Sequence, residues 1–318
     1  MKVAYIDQYK ETFGVQPICD VLAETDAPIA PIAPSTYYAA HTRPEAARTV
    51  RDRELTEKTE VIHRENYGVY GARKVHAALP RGDVTVARCT VERLMRAAGL
   101  RGVIRTKSPR TTRPAPETDR PRDLVERQFT ATAPNQLWVA DITYIRTFSG
   151  WVYAASVIDV FSRMVVGWQV STSLYTELAL DTLDMALWRR HREDADLTGL
   201  VHHSDRGVQY RAIRYTERLD EADAVASVGS KGDSHDNALA KAFNSLFKAE
   251  LIRNKGPWTG INDVEIAVAE YIDWFNRRRL HGELGHVTPP STRPPTTRPN
   301  PTHHSRKPAN AVSTKPGA

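Results

Sequence analysis

The sequence predicts an α/β protein in which a mixed-sheet core is preceded by an all-α region. Two observations carry this. Between residues 137 and 170 three β-rich runs follow one another with short turns, the pattern of an antiparallel meander. Beyond them helical and strand patterns alternate to about residue 278, whereas the first 100 residues are patterned for helices. The sheet therefore belongs to the second half of the chain.

In chain order, residues 1–60 read as helical pieces broken by a Pro-rich stretch, Ala27 to Pro34, with Ser35 or Thr36 placed to cap the next helix. Residues 61–100 are more specific. A helical stretch from Gly71 to Leu79 is broken by Pro80-Arg81-Gly82-Asp83, and a second helix runs from about Val86 to Ala98 before Gly99 stops it. Val91, Leu94, Met95 and Ala98 recur at three- and four-residue steps as one apolar stripe, and Arg88, Arg93 and Arg96 lie off it. Two short helices joined by a turn, the second bearing arginines, match a helix-turn-helix. An ordinary helical hairpin with solvated arginines has the same pattern.

Residues 101–133 form a basic, Pro-containing linker. Arg101, Arg105, Lys107, Arg110 and Arg113 come with no acid among them, which suits either phosphate tracking or a solvated connector. The core spans 134–287. Its strands are expected at 137–145, 151–159 and 164–170, a helix at 176–192, a short strand ending at Asp205, a helix near 208–220, a strand near 224–228, and helices over 236–253 and 261–278. From Thr288 to Ala318 there are eight prolines and almost no large apolar side chain. That tail is expected to be disordered.

Charge alone says little about partners. The chain carries +6, but the tail holds five basic and no acidic residues, so residues 1–287 carry only +1. The case for nucleic acid rests on local clusters. The two cysteines, Cys19 and Cys89, are far apart, which argues against a disulfide framework or zinc site and fits a reducing cytoplasm. No apolar run approaches the ~20 residues that span a bilayer, so no membrane partner is expected.

Two carboxylates stand out. Asp141 interrupts an apolar strand, where an unpaired acid is costly, and Asp205 lies where a short apolar strand meets Arg206-Gly207. Acids on neighbouring strands can hold Mg²⁺, which takes oxygen ligands, for phosphoryl transfer. Turn caps and surface acids are the competing reading of any two aspartates.

The constellation is more specific than the pair. Trp138-Val139-Ala140-Asp141-Ile142-Thr143-Tyr144, His203-Ser204-Asp205-Arg206-Gly207-Val208-Gln209-Tyr210 and Asp236-Asn237-Ala238 resemble the DDE transposases of bacterial insertion sequences. They are most similar to the second-frame (OrfB) proteins of the two-frame group, relatives of retroviral integrases. Tyr271-Ile272-Asp273-Trp274-Phe275-Asn276 with Arg279, His281 and Leu284 resembles that group's C-terminal signature. Tyr70-Gly71-Ala72-Arg73 and Arg93 to Leu100 resemble its helix-turn-helix. The resemblance covers about residues 1–287. It implies a ribonuclease H-like core, Mg²⁺ (with Mn²⁺ as substitute), binding of terminal inverted repeats and target DNA, an upstream-frame protein as fusion or partner, a homo-oligomer, and a nucleoid-associated place in the bacterial cytoplasm. It makes Asp141 and Asp205 catalytic metal ligands and His203 an active-site neighbour. Arg88, Arg93, Arg96, Arg101, Arg105, Lys107 and Lys248 are the candidate DNA contacts.

One residue departs from the family. Its third carboxylate, a glutamate, is separated from the second aspartate by thirty-five intervening residues, and here that position is Lys241. An apolar stripe of Leu239, Ala242, Phe243 and Leu246 would turn Lys241 off the core, and the resemblance implies that the family's glutamate reaches from there toward the metals. An ammonium has no lone pair to offer a metal. Asp236 and Glu250 lie on other faces of the helix, whereas Asn237 and Asn244 share that of Lys241, one turn to either side, as weaker neutral candidates. The expectation is an impaired catalyst. The abrupt Pro/Thr/Arg tract from Thr288 reads as a change of frame.

Overall fold

The computed structural model describes residues 2–24, 31–104, 123–125, 128–205, 207–229 and 237–289. The tail expected to be disordered lies almost wholly in 290–318, and Arg105 and Lys107 lie in 105–122; both stretches are outside the described residues. The chain opens with α1 (Lys2–Phe13), α2 (Val15–Glu24) and α3 (Pro34–Thr42), which enclose a small core of Ile6, Ile18, Cys19, Leu22 and Tyr37. Next come α4 (Ala47–Glu65), α5 (Ala72–Ala78), a 3₁₀ turn (Leu79–Gly82) and α6 (Arg88–Ala97). The α5–turn–α6 unit lies where the sequence puts its helix-turn-helix. The stripe residues Val91, Leu94 and Met95 are buried, and Gly99 ends α6 at φ 70°, a left-handed stop that glycine adopts without a Cβ penalty. The α4 helix runs across residue 60.

The sheet has five strands in the order β3-β2-β1-β4-β5. β1 (Leu137–Thr147), β2 (Gly150–Asp159) and β3 (Val165–Ser171) form the antiparallel meander. After α7 (Thr176–Arg192), β4 (Val201–Ser204) pairs parallel to β1, and β5 (Val225–Val228) pairs parallel to β4. A 3₁₀ turn (Val208–Arg211) and α8 (Ile213–Asp220) connect β4 to β5. Then come α9 (Ala238–Phe247), a π turn (Lys248–Ile252), the single turn α10 (Arg253–Lys255) and α11 (Ile261–Arg277).

Each face of the sheet packs differently. On one, Trp138, Ala140, Val157 and Val166 meet Leu183, Ala186 and Leu187 of α7 and Tyr215 and Leu219 of α8. Gly167 permits this approach: a Cβ there would lie 2.2 Å from the Thr182 carbonyl oxygen. On the other face, Val139, Ile145, Val152 and Ile158 share one core with Phe243 and Phe247 of α9 and Tyr271, Ile272 and Phe275 of α11. Val69, Tyr70, Val75, Leu79, Val91 and Met95 of the helix-turn-helix region belong to this same core.

Polar bonds fasten that joint. Trp274 Nε1 donates to Asn66 Oδ1 at 3.1 Å, Leu280 N to the Tyr70 hydroxyl at 2.8 Å, and Asn254 Nδ2 to the Tyr67 carbonyl at 2.9 Å. The C-terminal signature is spent on packing. Asn276 both donates to and accepts from the Val165 backbone, and His281 donates to the Phe275 carbonyl. Trp274 and Phe275 are buried, as expected of side chains that pack α11.

Candidate active site

Asp141 sits in the middle of β1 and Asp205 one residue past the end of β4. The parallel register Ala140↔Ser204 brings the two acids side by side on neighbouring strands. Asp141 is 8% exposed. Its Oδ1 accepts from the Ile142 backbone N–H at 2.9 Å and its Oδ2 from Asn244 Nδ2 at 3.0 Å. Burial and the negative charge of Asp205 push the Asp141 pKa up to about 7, against the Ile142 N–H, the Lys241 ammonium and the Asn244 amide. Asp205 Oδ1 accepts from the Gly207 N–H at 2.9 Å, closing a tight turn.

The third element is α9. Its buried stripe is Ala240, Phe243 and Phe247, with Leu239 only partly covered. This is rotated from the Leu239, Ala242, Phe243, Leu246 stripe expected of the sequence. The cause is that α9 packs between the sheet and α11, so that two neighbours choose its inner face. Lys241, Asn244 and Lys248 recur at steps of three and four on the adjoining face, and all three act on Asp141, the lysines by charge and Asn244 by its hydrogen bond. Burial lowers the Lys248 pKa, and the Asp141 charge opposes that shift. Asn237, buried at the head of α9, donates to the Ala140 carbonyl at 2.7 Å and so ties the helix to β1 beside Asp141.

Other candidates sit elsewhere. His203 is fully buried beside Phe129 and shares a 2.9 Å hydrogen bond with the Ser227 hydroxyl. Glu250 is locked to Arg279 and Tyr271, away from the aspartates. Arg93 is held by Asp52 of α4 at 2.7 and 2.8 Å and Arg88 pairs with Glu92, whereas Arg96 and Arg101 are exposed. Asp236 lies outside the described residues. Sequence reasoning passed over Tyr210, which is buried with a pKa raised by burial and, in smaller part, by Asp141 and Asp205. Its place in the His203–Tyr210 segment was the available signal.

Paired carboxylates offer the hard oxygen donors that a divalent cation takes. The next position in line holds an ammonium, and among the described residues no three His, Cys, Asp or Glu side chains converge. Among the described residues the donor set is therefore a pair of carboxylates with an ammonium on the facing helix, not three carboxylates. A meander followed by two parallel strands, with acids on β1 and after β4, defines the ribonuclease H-like class of polynucleotidyl transferases.

Comparisons with known proteins agree with that class. Two family models described as Integrase core domain match residues 131–234 and 224–289, and one described as HTH-like domain matches 50–108. A transposase assigned to insertion sequence IS986/IS6110 of Mycobacterium tuberculosis is 51% identical over 81% of this chain and 94% of its own length. The transposase of IS629 from Shigella sonnei is 46% identical over 89% of this chain and 93% of its own. Among solved structures, the magnesium-bound integrase catalytic core of HTLV-2 aligns with a TM-score of 0.39 and 15% identity, over 51% of this chain and 99% of that one. The chain belongs to the insertion-sequence transposases that carry an HTH-like domain ahead of an integrase core. Among the described residues no helix is long and apolar enough to cross a membrane.

Proposed function

We propose that this transposase binds the terminal inverted repeats of its element and that Lys241 impairs its Mg²⁺-dependent cleavage and joining of DNA strands. Asp141 and Asp205 are the two catalytic carboxylates of the site, and Lys241 occupies the third. The carrying observation is that Asn244, three residues after Lys241 on the same face of α9, donates to the buried Asp141 carboxylate at 3.0 Å, so that face turns its positive charge toward Asp141. A cation side chain there does the electrostatic work of a metal ion without its chemistry, and repels the ion it replaces. Mg²⁺, or Mn²⁺ in its stead, binds the remaining pair weakly.

The DNA surface begins at the helix-turn-helix of residues 61–100. Arg96 and Arg101 are exposed for phosphate contact, and Arg88 and Arg93 join them by leaving acidic partners. Arg105 and Lys107 of the linker extend the track, and Lys248 meets a phosphate beside Asp141. Oligomerisation and fusion with an upstream-frame product complete the active form.

The test is Mg²⁺- or Mn²⁺-dependent cleavage and strand transfer on the element's own ends, comparing the native chain with Lys241→Glu, each with any upstream partner. Activity only in Lys241→Glu, with tighter Mn²⁺ binding, is the expected result. Equal activity in the native chain refutes the role given to position 241. Binding of the ends by both without turnover in either marks a DNA-binding relic whose defect lies beyond Lys241.

A further inference from the structure

Asp141 is held by the strand that carries it, but Asp205 lies past the end of β4. Whatever fixes the Asp205 carboxylate must come from the turn that follows, and Gly207 shows how that turn is built. Its φ is −55° and its ψ 139°, a backbone that any residue adopts. Glycine therefore supplies space there, not conformational freedom. A Cβ at 207 would lie 3.0 Å from Asp205 Oδ1, 3.0 Å from Gln209 Oε1 and 3.3 Å from the Tyr210 ring. Two side-chain oxygens thus close on one Cα, and the Gly207 N–H already donates to the first of them at 2.9 Å.

Gln209 carries that contact into the body of the fold. It is 8% exposed, and its Nε2 donates at 2.9 Å to the Leu174 carbonyl, in the connection between β3 and α7. A buried carboxamide is placed by its hydrogen bonds. Here the donor end is taken by Leu174, and the acceptor end, Oε1, stands against Gly207. Tyr210 backs the turn from below. Its N–H donates to the Gly207 carbonyl at 3.1 Å, and its buried ring meets the Tyr215 ring edge-on at 5.4 Å.

We infer that Gln209 is a positioning residue for Asp205. Anchored on Leu174, it holds the Gly207 peptide against the Asp205 carboxylate, so that Oδ1 stays on the Gly207 N–H and the second oxygen is kept for a cation shared with Asp141. Gln209 acts through Asp205 and not on the cation itself. A carboxylate without such support turns among its rotamers and holds a cation less well. The inference rests on the reading of Asp205 as a metal ligand, but it needs neither DNA nor cleavage.

The experiment uses the full chain with Lys241→Glu as parent and follows Mn²⁺ binding by electron paramagnetic resonance, without DNA and below the melting temperature of every variant. Gln209→Met keeps the length of the side chain but has no donor for the Leu174 carbonyl. Gly207→Ala sets a methyl between the two oxygens without straining the backbone. Each is expected to weaken Mn²⁺ binding by about tenfold or more, the usual effect of removing an outer-shell support. Val268→Ala, which opens a cavity under α11 away from the turn, is expected to lower the melting temperature and leave Mn²⁺ affinity unchanged. If Gln209→Met and Gly207→Ala bind Mn²⁺ as the parent does, the inference is overturned alone. An equal loss in Val268→Ala also overturns it, since the effect then follows stability. A parent that binds no Mn²⁺ overturns the metal reading of the site, and the inference with it.

Discussion

Glu250 and Arg279 pose the sharpest energetic question in the molecule. They are 5% and 4% exposed, the guanidinium donates to both carboxylate oxygens at 2.6 and 2.8 Å, and the Tyr271 hydroxyl donates to Oε2 at 2.9 Å. Burial raises the Glu250 pKa, but the Arg279 bonds and charge outweigh it and hold the group below its usual value. Glu250→Ala strands a guanidinium in the core, with Lys74 as its nearby cation. Breaking such a pair costs roughly 3–5 kcal/mol. At about 2–4 °C per kcal/mol for a chain of this size, the melting temperature falls by roughly 6–20 °C. Replacing both partners, Glu250→Leu with Arg279→Met, removes the stranded charge and recovers most of that loss. Circular dichroism melts of the parent, both single variants and the double variant close the cycle. The acid limb supplies a second reading. The folded pKa of Glu250 lies below the unfolded value of about 4.3. Its contribution is therefore complete above that value and lost as pH falls through the folded one, so the parent loses more stability than Glu250→Ala on acidification. A Glu250→Ala chain melting within 2 °C of its parent refutes the reasoning, since then the pair is not held in a dry core.

Three further outcomes follow from the same packing. Burial, with the Arg279 charge, pushes the Lys74 pKa down to about 8, so the unfolded chain holds that proton to higher pH and stability climbs between about pH 8 and 10.4; urea titrations across that range should lose the climb in Lys74→Met. Gly167→Ala sets a methyl 2.2 Å from the Thr182 carbonyl oxygen and is expected to cost about 1–3 kcal/mol or more as α7 lifts from β3, read by urea unfolding, and a neutral result means the helix is not seated there. Salt dependence of DNA affinity separates the arginines: Arg96→Ala or Arg101→Ala should reduce the log–log slope by about one each. Arg93→Ala should reduce it less, because Asp52 already holds that guanidinium.

What could be read from sequence followed from periodicity. The meander was legible because Leu137 to Ser171 alternates strand-forming runs with two tight turns, and α7 because its inner face recurs at helical steps. Asp141 and Asp205 could be singled out because an acid in an apolar strand needs a partner. The joint between the helix-turn-helix and the core was not legible. Val69, Tyr70 and Val75 look like the inner face of a small helical unit, and nothing in their spacing says that the far side of the contact is Trp274 and Tyr271, some two hundred residues on. The rotation of α9 was missed for a related reason. A one-dimensional stripe assumes one burying surface, and α9 has two.

That joint bears on how Lys241 is to be understood. Asn244 and Lys248 approach Asp141 from a helix whose continuation, the π turn, carries Glu250 into the Arg279 and Tyr271 bonds. A π turn inserts one residue into a helix, which resets the faces on either side of it. Up to Phe247 the polar face is directed by the sheet; beyond it Ala249, Glu250 and Leu251 are buried. The direction of the Lys241 face is therefore set by Asn237 on Ala140 at one end and by Glu250 on Arg279 at the other. Neither anchor involves the side chain at 241, so exchanging lysine for glutamate leaves both anchors in place while it reverses the charge offered to Asp141 and Asp205. On that ground Lys241→Glu should leave the melting temperature within a few degrees of the native chain while changing Mn²⁺ affinity. A large shift in melting with no change in metal binding would show that Lys241 holds the helix, and that its ammonium is structural.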